Sequence, residues 1–168
     1  MSEIKVVRKL FFVWNFEKEE RWLNEMAMEG WTLKKVGFFK YTFEKTADEY
    51  EIRLGMIGIP NTAQLSTLKE EKVEYIGNIL QWAYFRKKVA DGDFELFSDL
   101  DSKIQHMKNI AYLLAVLGAV NLFYGFMLFI NGSRGSIANL LAVTLLMYAL
   151  GRIHGKKDEL EKERDIHE

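Results

Sequence analysis

Cysteine is absent from this chain of 168 residues, so disulfide bonds and thiolate metal sites are excluded. Proline occurs only at Pro60, and no tract rich in serine and glycine is present, so we expect no long flexible linker. Neither sign of charge is in excess, because 23 Lys and Arg oppose 24 Asp and Glu. Such a chain has no overall attraction to polyanions, and we expect no direct nucleic-acid binding.

The sequence also lacks the patterns of a secretory leader and of catalytic chemistry. Residues 1–9 are charged and precede no typical signal-peptide core, so no cleavable leader is predicted. His106, His154 and His167 do not have the spacing of a metal pair. No serine–histidine–aspartate order or paired carboxylate stands out. We therefore predict a protein that is not an enzyme and that carries no cofactor and no metal.

Two long apolar runs organise the rest of the chain. Residues 110–130 contain no Asp, Glu, Lys or Arg, and residues 137–153 are nearly free of charge. A helix of about 20 apolar residues spans a bilayer core, and neither run offers a polar face for water to cover. The connection 131–136 is so short that the helices must be antiparallel neighbours. We predict a transmembrane helical hairpin over 110–153, in contact with the lipid bilayer.

Small residues and one amide indicate where the helices of this hairpin meet. Small side chains let membrane helices approach closely, and an unpaired amide in lipid costs free energy, so Asn121 should face another helix. Two spans without an embedded charge indicate an anchor and an association surface, within one chain or between copies in a homo-oligomer. The predicted helix–helix contact residues are Ala111, Ala115, Gly118, Ala119, Asn121, Ala138 and Ala142.

Basic residues flank the hairpin unevenly. Lys103 and Lys108 precede the first run and a cluster at 152–164 follows the second, whereas the connection carries only Arg134. By the positive-inside rule, both termini lie in the cytoplasm of a multi-pass cell-membrane protein. The predicted organisation is a cytoplasmic domain at 1–100, a helical connector at 101–109, the hairpin at 110–153 and a charged cytoplasmic tail at 154–168.

The first 100 residues carry an α+β pattern. A β-branched and aromatic run at 4–14 predicts a strand. Asn15 is the expected N-cap of an amphipathic helix over 16–29, which Gly30 ends. Alternating apolar and polar residues over 31–56 then predict two or three strands. The acidic residues of the helix are interpreted as its solvated face.

A weaker copy of the same pattern follows. A second helix is expected to begin near Ser66 or Thr67 and to end near Gly77, with a strand over 79–87 behind it. Two βαβ-like halves of this kind predict a small ferredoxin-like sandwich of the β-α-β-β-α-β type, followed by the hairpin.

Four tryptophans are the candidate binding residues of this domain. Core packing explains tryptophans in a small domain most simply. The same side chains could also line a pocket between helices and sheet. The residues of this candidate partner or ligand pocket are Trp14, Trp22, Trp31 and Trp82.

Five sequence blocks form a recognisable pattern: Trp22-Leu23, Gly30-Trp31, Tyr41-Thr42-Phe43-Glu44, Tyr84-Phe85-Arg86-Lys87 and Leu96-Phe97-Ser98-Asp99. Together they resemble a bacterial family called domain of unknown function 2812. The resemblance covers about residues 5–109 and continues into the membrane segment. It implies a membrane protein with a cytoplasmic domain, often encoded beside PadR-like regulators, and hence a role in a regulatory or envelope-stress circuit. It implies no activity, and residues 77–82 depart from the family pattern.

Two functions of different classes are compatible with these patterns. The first is a membrane-anchored cytoplasmic interaction or sensor module with a protein partner, for which a PadR-like regulator is the candidate. The alternative is a small membrane-integrity or immunity-type protein that acts through its transmembrane hairpin. Deleting residues 1–100 would separate the two, because only the second function survives in the hairpin alone.

Overall fold

The computed structural model describes residues 3–97, 99–133 and 135–167. Within them the chain forms two compact units, Met1–Leu96 and Phe97–Glu168. The first unit holds two three-stranded sheets with helices, and the second holds two long helices. The predicted α+β class with a C-terminal helical hairpin is confirmed. The predictions that involve Ser98 and Arg134 fall outside the described residues.

The first unit begins with a β-α-β-β segment. Its third strand lies in the middle of an antiparallel sheet of order β1-β3-β2. Gly30 ends the first helix with a positive φ of 82°, as the sequence predicts. The strand predicted at 4–14 is shorter, because the chain leaves the sheet after Arg8 and then forms a 3₁₀ turn. The elements are β1 (Ile4–Arg8), the 3₁₀ turn Val13–Asn15, α1 (Phe16–Met28), β2 (Trp31–Gly37) and β3 (Lys40–Lys45).

A second β-α-β-β segment follows with the equivalent strand order, β4-β6-β5. The helix start predicted at Ser66 or Thr67 is wrong, because Asn61 caps the helix and Gln64 completes a capping box with it. The helix end predicted near Gly77 is also wrong, since Gly77 lies inside a strand. The elements are β4 (Tyr50–Met56), α2 (Thr62–Glu70), β5 (Glu74–Ile79), β6 (Trp82–Lys88) and the 3₁₀ turn Val89–Asp91.

The strand order therefore differs in detail from the β-α-β-β-α-β expectation. Each half contributes a complete hairpin, and the two edge strands β2 and β5 approach each other. Both strands carry a register irregularity at matching places, between Leu33 and Lys35 in β2 and between Tyr75 and Gly77 in β5. The repeated pattern in the sequence thus corresponds to two β-α-β-β halves, each with its own sheet.

Arg86 joins the two halves at one end of the sheets. It lies on β6, and its guanidinium donates to Glu74 of its own sheet at 2.7 Å. The same group donates to the backbone oxygen of Leu33 at 3.0 Å and to Glu44 at 3.1 Å, both in the first half. A guanidinium has enough donors to serve all three acceptors at once. The sequence block that contains Arg86 therefore has a structural role between the sheets.

Side chains of helix α1 form hydrogen bonds with the backbone of β4 at the outer edge of its sheet. The amide of Asn24 accepts from the backbone N–H of Ile52 and donates to its C=O, each at 2.8 Å. One turn earlier, Glu20 accepts from the backbone N–H of Leu54 at 3.0 Å. These contacts satisfy edge groups that would otherwise invite another strand. The helix of the first half thereby closes the sheet of the second half.

The second unit is an antiparallel pair of long helices, α3 (Leu100–Ile130) and α4 (Gly135–His167). Asp99 caps α3, since its carboxylate accepts from the backbone N–H of Ser102 at 2.7 Å. Each helix is long and apolar enough to cross a membrane, and large apolar side chains such as Phe123 and Phe126 point outward uncovered. A helix with apolar residues on its outer faces fits lipid better than water.

The two helices meet along a repeat that alternates three and four residues, as in a coiled coil. In the apolar part, Asn139 Nδ2 donates to Asn121 Oδ1 at 3.4 Å. A Cβ atom at Gly125 would overlap the Asn139 amide, so only glycine leaves room for this pairing. The residues that follow this repeat are Ile104, Met107, Ala111, Leu114, Gly118, Asn121 and Gly125 of α3 and Asn139, Val143, Leu146, Leu150 and Ile153 of α4. Ile110 of α3 and Ala149 of α4 do not follow it but are fully buried.

We predict that Asn24→Ala lowers the free energy of unfolding of the first unit by about 2–3 kcal/mol. The substitution removes the partners of both backbone groups of Ile52, which is fully buried. All four tryptophans lie in this unit, so denaturant unfolding of the full chain followed by tryptophan fluorescence reports on it. Glu25→Ala, on the exposed face of the same helix, is the control and should change the midpoint little. An Asn24→Ala chain as stable as this control would contradict the role of the edge contacts.

We predict that Gly125→Ala weakens the α3–α4 pairing by about 1–3 kcal/mol, because the new methyl group must displace Asn139. The measurement is unfolding of the purified chain in mixed micelles across an SDS titration. Gly151→Ala is the matched control, since nothing lies near the position of its new Cβ atom. Equal midpoints for the two variants would show that the Asn139 amide moves aside without cost.

Candidate functional site

A cavity of about 170 Å³ opens on the first unit, between the N-terminal end of α1 and the two sheets. Most of its wall is aromatic, and the rest is aliphatic apart from one carboxyl group at Glu19. Concave apolar sites with a few convergent polar groups are the usual form of ligand sites. The lining residues are Phe11, Phe12, Val13, Phe16, Glu19, Phe38, Phe39, Tyr41, Ile79, Leu80, Trp82 and Tyr84.

Glu19 is held at the cavity by two phenols. The hydroxyl of Tyr41 donates to Glu19 Oε1 at 2.7 Å, and that of Tyr84 donates to the same oxygen at 2.6 Å. Tyr41 lies on β3 and Tyr84 on β6, the middle strands of the two sheets. The two tyrosines therefore come from equivalent strands of the two halves and converge on one carboxylate oxygen.

Burial shifts the pKa values of Glu19, Tyr41 and Tyr84. Glu19 is only 8% exposed. Loss of hydration raises the pKa of its carboxyl group, and the two hydrogen bonds from Tyr84 and Tyr41 oppose that rise because they favour the ionised form. Burial and the neighbouring carboxylate raise the pKa of both tyrosines, so the phenols stay protonated and keep donating.

The solvated-face interpretation of the first helix is wrong for Glu19. Its position follows Phe16 by three residues and precedes Leu23 by four, which is the spacing of the buried stripe of α1. A carboxylate in an apolar stripe was therefore visible in the sequence once the helix register was known. The identity of its partners was not visible, because Tyr84 lies 65 residues away along the chain.

Two tight hairpin turns form the rim of the cavity. Phe38-Phe39 joins β2 to β3, and Leu80-Gln81 joins β5 to β6. Phe39 and Leu80 have positive φ values of 54° and 53°, which bulky side chains rarely adopt. The side chains of Phe38, Phe39 and Leu80 are nevertheless more than half exposed. Strained backbone and exposed apolar side chains at one place are typical of a binding surface.

The structure separates the four predicted tryptophans. Only Trp82 is among the described lining residues of the cavity, where it packs on Phe16 with ring centres 5.3 Å apart. Trp22 packs edge-on against Tyr41 and Phe43. The remaining two lie elsewhere: Trp14 stacks on Phe12, and Trp31 lies beneath the ammonium groups of Lys5 and Lys45.

Only some of the predicted helix–helix contact residues of the hairpin lie between its two helices. Asn121 faces α4 and Ala111 and Gly118 are buried, whereas Ala115, Ala119 and Ala138 are exposed and Ala142 is half-buried. The inward face thus follows the heptad spacing, while the exposed alanines lie on the outer side of the hairpin. Sequence reasoning missed Asn139 as the partner of Asn121, although an amide inside an apolar run is a detectable signal.

No group of three or more His, Asp or Glu that could hold a metal ion occurs in the described part of the chain. At the cavity, Glu19 is the single carboxylate among the lining residues and is already engaged by two phenols. One hydrogen-bonded carboxylate is too few ligands for a metal site. The cavity walls instead suit an organic group.

Comparison with protein families gives one finding. The family model described as "Protein of unknown function (DUF2812)" matches residues 15–119, which is more than half of the chain. The match includes α1, the strands β2 to β6, α2 and the first part of α3, whereas β1 lies before it. No curated protein and no solved structure matches this chain at a significant level.

We predict that Leu80→Asn raises the free energy of unfolding of the first unit by about 1 kcal/mol, because asparagine tolerates the left-handed backbone better than leucine does. Leu80 is 74% exposed, so little packing is lost. The measurement is the denaturant midpoint by tryptophan fluorescence. Ile59→Asn, at an equally exposed apolar residue without a positive φ, should give no gain. A Leu80→Asn chain no more stable than wild type would argue against strain at this turn.

Proposed function

This chain belongs to the DUF2812 family, and from that premise we propose that it is a membrane-anchored cytoplasmic sensor or interaction module in a regulatory or envelope-stress circuit. The aromatic cavity is its sensing site, and the rim of Phe38, Phe39 and Leu80 contacts a protein partner. A PadR-like regulator is the candidate partner, as the sequence resemblance implies. The hairpin holds this module at the membrane, with both termini in the cytoplasm.

The exposed apolar rim of the cavity is the observation that carries the proposal. Phe12, Phe38, Phe39 and Leu80 are each more than half exposed, and all four belong to the wall of the same cavity. Contiguous apolar surface of this kind is costly in water unless another molecule covers it. Aromatic side chains supply much of the binding energy at protein interfaces. The strained turns support the same assignment, since selection for stability alone would have replaced Phe39 and Leu80.

The membrane part of the proposal is supported by the outward faces of α3 and α4. Both helices are long and apolar enough to cross a bilayer. The amides of Asn121 and Asn139 pair with each other inside the hairpin, which lowers the cost of placing them in lipid. Basic residues flank the hairpin on the side of the chain termini, which supports a cytoplasmic location for the first unit.

The rim can be tested by quantitative co-purification from the native host. We predict that the chain with Phe38→Ser and Leu80→Asn recovers at least about tenfold less of a specific cytoplasmic protein than wild type, because two interface anchors are lost. Ile59→Ser is the matched control, since Ile59 is exposed to a similar degree but does not line the cavity. Mass spectrometry identifies the protein whose recovery depends on the rim.

Equal recovery by the rim variant and the Ile59→Ser control would overturn the proposed partner surface. A second experiment uses a chain that contains only the hairpin, and it can also contradict the proposed sensor or interaction module. If that chain alone reproduces the phenotype of the full protein, the alternative of a membrane-integrity or immunity-type protein replaces the sensor.

A further inference from the structure

We propose that the cavity above Glu19 binds a small aromatic ammonium compound, a single ring carrying one positively charged nitrogen. The inference rests on the proposed function, because it names the class of ligand that the sensing site recognises. Three features of the cavity support it: the free oxygen of its carboxylate, the aromatic character of its wall, and its volume.

The carboxylate of Glu19 has one oxygen left for a ligand. Both of its hydrogen bonds, from Tyr41 and Tyr84, reach Oε1, and no hydrogen bond within the described part of the chain reaches Oε2. The two phenols hold the carboxyl group in place, and their hydrogen bonds favour its ionised form. An ammonium group that donates to Oε2 would complete the coordination of the carboxylate and form a charge-assisted hydrogen bond.

The charge of the wall selects a cation over an anion. No Lys, Arg or His is among the described lining residues, and Glu19 is the one carboxylate there. An anionic ligand would therefore meet repulsion from Glu19, and none of the described lining residues carries a positive charge that would offset it. Aromatic faces attract ammonium groups through their negative quadrupole, and such contacts strengthen where water is excluded. Phe16 and Trp82 line the cavity together with Glu19, and the ring of Phe11 already lies beneath the ammonium group of Lys9, whose nitrogen is 5.1 Å from the ring centre.

The volume limits the ligand to about one ring. The cavity measures about 170 Å³, and an apolar protein cavity of about 150 Å³ accommodates benzene. A larger ring system would have to project between the hairpin tips Phe38-Phe39 and Leu80-Gln81. Ligand binding at this depth also places the occupant directly beneath the rim that contacts the partner, so occupancy can alter the partner surface.

The inference can be tested with three probes of similar shape and different charge: benzylammonium, benzyl alcohol and benzoate. The full chain is reconstituted in nanodiscs of zwitterionic lipid, and binding is measured by calorimetry against empty nanodiscs. We expect saturable binding of benzylammonium at least about tenfold tighter than that of benzyl alcohol, because an ammonium–carboxylate hydrogen bond and cation–π contacts add to ring burial. Benzoate should bind weakest of the three.

Glu19→Gln is the matched variant, since glutamine keeps an oxygen that accepts from Tyr41 and Tyr84 but removes the charge. In this chain the affinity for benzylammonium should fall to that for benzyl alcohol. Ile59→Asn, outside the cavity, should retain the full preference. Circular dichroism confirms folding of each variant, and the comparison of the three probes on wild type stands without them.

Three results would overturn the inference: equal affinities for benzylammonium and benzyl alcohol, no saturable binding of benzylammonium, or a preference for the cation that survives in Glu19→Gln. None of these results affects the partner surface, which the rim variant tests independently. If co-purification of the partner depends on the rim but the cavity shows no preference for the cation, the proposed interaction module stands and only the proposed ligand class is refuted.

Discussion

The first unit depends on the two hydrogen bonds that the buried carboxyl group of Glu19 accepts. A buried carboxyl group is costly unless hydrogen bonds compensate the lost hydration. Here the compensation comes from Tyr41 in one half and Tyr84 in the other, each hydroxyl within 2.7 Å of the same oxygen. Neither half alone can satisfy this group. The requirement therefore holds helix α1 against both sheets and fixes how the two β-α-β-β halves come together.

The remaining contacts between the halves follow the same logic. Arg86 links the sheets at one end by reaching Leu33 and Glu44, and Asn24 and Glu20 close the edge of β4 from α1. All of these are polar side chains that satisfy groups in the opposite half. Such contacts specify one arrangement, because any shift leaves buried donors or acceptors unpaired. The apolar core supplies most of the driving force, and these polar links decide its geometry.

The placement of the cavity follows from this geometry. The chain leaves β1 early, so Phe11 and Phe12 are free to form one wall, while the two hairpin tips form the other. The tips carry bulky residues with left-handed backbone, a conformation that costs stability. The exposed aromatic residues at the opening of the cavity thus share one region with strained turns and with the hydrogen-bonded carboxyl group of Glu19. In the hairpin of α3 and α4, Asn121 and Asn139 pair with each other, and large apolar side chains point outward.

Local patterns in the sequence determined the elements with strong periodicity. The apolar runs predicted two antiparallel helices, and Gly30 marked the end of α1. These features depend on neighbouring residues, which is why the sequence reveals them. The start of α2 was missed because the capping box of Asn61 and Gln64 competed with other Ser and Thr residues nearby. The strand β5 was missed because Gly77 resembles a helix end in sequence.

Only the tertiary structure decided the site. Tyr41 and Tyr84 look like ordinary core residues of two strands, and Glu19 looks like a residue of a solvated helix face. Their meeting depends on how two halves pack across a separation of 65 residues, which no local pattern encodes. The four tryptophans show the converse, since their shared chemistry suggested one pocket and the fold distributed them among different contacts. Residue type and spacing thus determined the two long apolar helices, whereas the cavity arose from long-range pairing of buried polar groups.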